Sequence, residues 1–222
     1  MSENRSESQN FLSQDAALAQ EVFSSAVSAV KTGDVETLAQ LLLEHPALAS
    51  ARYDGSTLLN HLASWPGHYP REAETGLALI RAGVEVNARA GDPEKGETAL
   101  QWAASSDDVV LAELLLDAGT PVDGVGDDLR PLTQAIWYEC PQVAALLVRR
   151  GATLDLELAA ALGRMDRLAT CFDADGRLQA SACRHHHDPA KSPAQLLAEA
   201  LCFAVYGGSI EAAQYLLDRG VR

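Results

Sequence analysis

The chain has 222 residues, 47% apolar and 22% charged, which is enough to bury a core and excludes a disordered or collagen-like chain. Its 31 acidic residues against 17 basic ones give a net charge of −14, which disfavours phosphate backbones and anionic membranes as partners. The same charge favours a basic protein partner, or serves solubility alone.

Taken in chain order, residues 1–12 are polar and mixed in charge, predicting a disordered tail without the basic start and apolar run of a signal peptide. No later segment is long and apolar enough to predict a membrane span. Cys140, Cys171, Cys183 and Cys202 form no C-x-x-C pair and read as reduced thiols, which points to the cytoplasm.

From there on the chain repeats. LALIRAG (77–83), LAELLLDAG (111–119), AALLVRRG (144–151) and AAQYLLDRG (212–220) end in glycines separated by 36, 32 and 69 residues. The last interval is close to twice the others and holds a degenerate copy, LELAAALGRMDRLATCF (156–172). A further copy, AVSAVKTGDVETLAQLLLEH (26–45), opens the array. Each copy has two short stretches of helical periodicity joined by a polar turn. In the third, Leu100, Ala103 and Ala104 share one face, and Leu111, Leu114, Leu115 and Ala118 another. Ser and Asp at 105–108 can cap the second helix, and Gly119 ends it. Helix pairs this short cannot bury their apolar faces alone and must stack on their neighbours.

GETALQWAASSDDVVLAELLLDAGTPVD (96–123) resembles an ankyrin repeat, with Thr98, Leu100, Ala103, Ala104, Leu115, Leu116 and Gly119 on the family pattern. Gly55, Thr57, Leu59, Ala63 and Gly83 repeat that register in the copy before it, and Gly33, Gly163 and Gly208 match the inter-helix turn. The resemblance covers about residues 22–222 and implies an all-α solenoid of about six helix-turn-helix repeats with short hairpin loops. The repeats fall near 22–50, 51–87, 88–123, 124–154, 155–175 and 194–222, within one domain over 13–222. The family's TPLH tetrapeptide is replaced by TLLN (57–60), TALQ (98–101) and RPLT (130–133). Losing its His predicts weaker polar bonding between repeats. The second copy is five residues longer than the third, which predicts a loop around 65–71, where Pro66 and Pro70 break helix. Residues 173–193 form a second irregular loop.

The resemblance implies a protein-binding scaffold and no cofactor. In the family, the two residues after the Ala pair and the hairpin tips line the binding face. Those positions hold Trp65, Trp137, Tyr138 and Tyr206, residue types that dominate interface hot spots. They either meet a partner or pack over a neighbouring repeat or beneath the 173–193 loop. Tyr53, Arg89, Glu94, Asp127 and Asp128 add an acidic rim suited to a basic peptide or domain. Trp102 precedes its Ala pair and is predicted to be structural.

Other constellations are weaker. Cys183 with His185, His186, His187 and Asp188 has zinc-type ligands but no second pair at finger spacing, so no metal is assigned. Residues 91–98 resemble a phosphate loop superficially, but Glu97 stands where the lysine belongs and would repel phosphate. The pairs Asp107–Asp108 and Asp127–Asp128 fall in predicted turns and read as solvated carboxylates. With no catalytic constellation, the expected function is a non-catalytic interaction module: an adaptor, an inhibitor or an immunity-type regulator. A structural segment of a larger scaffold is the alternative, and an enzyme or metal-binding protein using residues 183–188 a weaker one. The last copy's apolar outer face predicts self-association, a partner or a continuing chain there.

Overall fold

The computed structural model describes residues 19–126, 129–179, 182 and 191–219. It contains twelve α-helices and, among the described residues, no strand. They follow in consecutive pairs: α1 (19–32) and α2 (Val35–Glu44), α3 (Leu58–Ala63) and α4 (Glu72–Arg81), α5 (Ala99–Ser105) and α6 (Val109–Asp117). Then come α7 (Arg130–Trp137) and α8 (Pro141–Arg149), α9 (Leu156–Ala161) and α10 (Met165–Ala169), and α11 (Pro193–Tyr206) and α12 (Ile210–Asp218). This is the all-α repeat fold expected from the sequence. Single antiparallel bridges, Tyr53 with Ser56, Arg89 with Thr98 and Phe172 with Leu178, mark the hairpins. No described helix is long and apolar enough to cross a membrane. Residues 1–12, the proposed tail, lie outside the described residues.

Local chemistry starts the helices. Asp34 caps α2 by accepting from the Thr37 amide, and Asp155 caps α9 by accepting from Leu158. Thr57 and Asn60 form a reciprocal capping box at α3, as do Ser192 and Gln195 at α11. Leucine and alanine at spacings of three and four then face inward.

The described chain forms two compact units. The first holds residues up to 103 together with 110–120. Within it α2 and α3 both pack on α4. Gly76 on α4 admits a leucine of α6: a Cβ there would lie 2.4 Å from Leu114 Cδ2. Polar bonds tie successive copies. The Asn60 amide donates to Ala88 O at 3.1 Å, the Arg52 guanidinium to Arg89 O at 2.7 Å, and Gly91 N to Gly55 O at 3.1 Å. Asn60 stands where the family's His would be. At this one of the three replaced sites a shorter amide makes a bond to the next copy, whereas Gln101 accepts from the Thr98 amide of its own copy.

The second unit holds 104–109 and 121 onward. Here α9 packs on α7 and α11, and α12 on α11 and α10. The buried faces are small: Ala159, Ala160, Ala200, Ala204 and Ala212 lie with Leu156, Leu168 and Leu216 in one cluster. Asp107 accepts from the Val143 amide at 2.8 Å and from Gln142 at 3.2 Å, capping the start of α8 rather than its own helix. Asp123 similarly binds Thr153 through its amide (2.8 Å) and hydroxyl (2.6 Å). Asp108, expected to be solvated, is fully buried. It follows Asp107, which takes the left-handed conformation at φ +55°.

Candidate functional site

The first helix of each pair ends near the positions singled out in the sequence. α3 stops at Ala63, so Trp65 enters the following turn and is 86% exposed. α7 ends in Trp137 with Tyr138 at its C-cap, 59% and 63% exposed, and α11 ends in Tyr206, 66% exposed. Most soluble surfaces scatter their exposed apolar residues singly. In the second unit several lie close in sequence, with Val205 and Ile210 exposed beside Tyr206.

The ends of α7, α9 and α11 border a groove of about 520 Å³ in the second unit. Ala135 and Ile136 of α7, Ala144 of α8, and Ala161, Leu162 and Gly163 at the end of α9 line it, together with Tyr206 to Ser209. It lies at the end of the pair α9–α10, whose helices have only six and five residues, between pairs of eight and nine and of 14 and nine. Small residues keep it open. A Cβ on Gly207 would lie 1.9 Å from Ala161 O, so the two backbones are in direct contact. Trp137 and Tyr138 fall between the lining residues Ile136 and Glu139. The Trp137 ring also rests 6.0 Å from the Phe203 ring, so it packs on α11 while keeping most of its surface free.

The first unit holds other candidates. Trp65 sits on a braced turn: Arg71 joins Glu36 at 2.8 Å and Glu74 at 2.6 Å. Pro70 O presses on Gly33, 2.2 Å from where a Cβ would be. Hydrogen bonds to Arg71 hold the Glu36 and Glu74 carboxyls below their ordinary pKa. Tyr53 stays 44% exposed, with its ring 6.1 Å from Phe23 and its hydroxyl accepting from Gln20 at 3.0 Å. Glu94 is exposed at a hairpin tip that Asp92 closes by accepting from the Glu94 and Lys95 amides. Arg89 is half-buried and donates to Gly96 O at 2.8 Å, so its guanidinium serves the hairpin itself. Trp102 is half-buried and donates to Glu97 at 2.7 Å, as a structural residue does. Asp127 and Asp128 lie outside the described residues, as do Cys183 and His185–Asp188.

Ionisable groups inside the second unit are tuned by burial. The Glu157 carboxyl, 3% exposed on the first turn of α9, is pushed up to about 7 by burial, then by Asp155 and Glu199, with Lys191 opposing. Lys191 itself pairs with Glu199 at 2.7 Å. Burial and Asp155 push the Cys171 thiol up to about 11, and burial and Asp107 also raise Cys140. Both thiols therefore stay protonated at neutral pH and are poor nucleophiles. Glu157 faces the interior and is not among the groove's lining residues. The groove's chemistry is that of a contact surface.

The groove itself escaped the sequence reading, as did Glu139, Cys140 and Ser209 on its walls. One signal was present: the fifth copy has few residues on either side of Gly163. The acids in LDLELAAAL (154–162) likewise interrupt an apolar run and mark buried carboxylates.

The family model for ankyrin repeats, in three copies, matches residues 72–157. No curated protein matches the chain. Ankyrin repeats generally bind other proteins and are typically non-catalytic.

Proposed function

This chain is an ankyrin-repeat protein, its repeats recognised over residues 72–157, and from that premise we propose that it is a non-catalytic module that binds another protein as adaptor, inhibitor or immunity-type regulator. One observation carries the reading: Trp137, Tyr138 and Tyr206 stay 59–66% exposed beside an apolar groove within one unit. Amphipathic rings left in water at a concave surface gain most from desolvation by a partner. In the first unit Trp65, Tyr53 and Glu94 are further contact residues, each exposed on a turn or hairpin closed by its own hydrogen bonds or ion pairs. Cys140, Cys171 and Cys202 are free, which fits the reducing cytoplasm.

The test is capture of partners from the source cell by wild-type protein and by a Trp137→Ala/Tyr138→Ala/Tyr206→Ala triple variant. A saturable partner should be retained by the wild type and lost from a variant of unchanged helicity. Equal recovery and equal affinity for the two baits would remove these residues from the site. Turnover of the partner in the purified complex would contradict a non-catalytic role.

A further inference from the structure

The groove of the second unit has an apolar floor and acidic groups at its edge. Ile136, Ala161, Leu162 and Tyr206 supply the apolar surface, and Gly163 and Gly207 keep the floor low. Glu139 lines the same groove and is exposed. Glu211, also exposed, opens α12 two residues beyond the lining Ser209. Neither carboxylate makes an ion pair among the described residues. The cation beside the floor, Arg164, is held by Asp166 through two bonds of 2.9 and 2.8 Å. The local charge offered to an incoming group is therefore negative, as is the charge of the whole chain, −14. That overall charge disfavours a second copy in this groove, since two such chains repel at low salt.

Resting on the protein-binding reading above, we infer that the groove takes a basic segment of another protein. One or two large aliphatic or aromatic side chains of that segment sit against Ala161, Leu162 and Tyr206, and flanking Lys or Arg groups face Glu139 and Glu211. A volume near 520 Å³ accommodates side chains of this size. The apolar anchor supplies the holding contact, while the carboxylates select for basic neighbours and speed the encounter.

A randomised peptide library displayed on phage, selected against the full chain at low salt, tests this inference. Enriched peptides should carry Leu, Met or Phe next to Lys or Arg. Synthetic copies should bind with about tenfold lower affinity to Tyr206→Ala and to Glu139→Lys/Glu211→Lys, and the charge-reversal loss should shrink as salt rises. Unfolding curves should match the wild type, because all three side chains are exposed. Enriched peptides that are neutral or acidic, sensitive to Tyr206→Ala but not to charge reversal, would overturn the basic partner and leave the protein-binding reading standing. Peptides indifferent to Tyr206→Ala, or a selection that enriches nothing, would overturn the groove as a site. Concentration-dependent dimers in light scattering that Tyr206→Ala abolishes would make the occupant a second copy and also overturn the inference.

Discussion

In the first unit the extended turn over residues 64–71 is held by charge and hydrogen bonds, whereas in the second the short pair α9–α10 is held by direct contact of small residues. Arg71 spans Glu36 and Glu74 on one side, and Asn60, Arg52 and Gly91 bond across successive copies. In the other unit Gly207 lies on the Ala161 backbone, and alanines of α9 and α11 share one buried cluster. An inserted loop adds length that polar contacts can tie down at the surface. At the end of the short pair the Gly207 and Ala161 backbones meet directly, and a groove lies beside them. The first arrangement leans on the exposed ion pairs of Arg71, and the second leaves an apolar groove beside Tyr206.

Four substitutions would break or sharpen that contrast. The largest effect is expected from Gly207→Val, whose Cβ has no room beside Ala161 O. It should cost about 3 kcal/mol in urea unfolding, as overpacking of a close contact does. Next is Glu157→Gln. The Glu157 carboxyl rises from its ordinary 4.5 to about 7 on folding, so the folded state keeps a proton that the unfolded chain loses. Stability from this group is therefore complete below pH 4.5 and declines as pH rises through about 7. The glutamine variant should gain about 2–3 kcal/mol relative to the wild type between pH 4.5 and pH 8. A parallel pH profile for the two proteins would show that Glu157 titrates normally.

Asn60→Ala should follow, costing about 1–2 kcal/mol by removing a capping box and a buried bond to Ala88 O. A smaller loss would mean that the hairpin contacts of Arg52 and Gly91 carry the connection between these copies. Arg71→Gln should have the smallest effect, a slight drop in melting temperature that vanishes in high salt, because its ion pairs are exposed. A large loss insensitive to salt would place the brace in the packing of Pro70 on Gly33 instead.

Much of the architecture is legible in the sequence. Leu100, Ala103 and Ala104 on one face and Leu111 and Leu115 on the other are buried as their spacing required, while Leu114 and Ala118 of that second face are half-buried. The glycines after the second helices, such as Gly119 at φ +93°, adopt the left-handed cap their position demanded. The aromatics at 65, 137, 138 and 206 were placed at first-helix ends by register alone, and the exposure of each follows from that location. Arg89 shows what register cannot tell: a charge at a hairpin tip reads as rim, and in the fold its guanidinium also donates to the hairpin's own Gly96 carbonyl. Asp108 was misjudged because a turn acid beside another acid gives no hint of which one turns inward.

By itself, the sequence determined the repeat, the helix pairs, their inward faces and the aromatic positions. Those follow from local periodicity, capping and glycine placement, which act over a few residues. Only the tertiary structure decided that Asn60 donates to the next copy where the family has a histidine, that Asp107 caps the next copy's helix, and that a groove lies beside Tyr206. Each of these depends on how far apart two copies stand. That distance is set by the side chains packed between them, and no single stretch of sequence contains it.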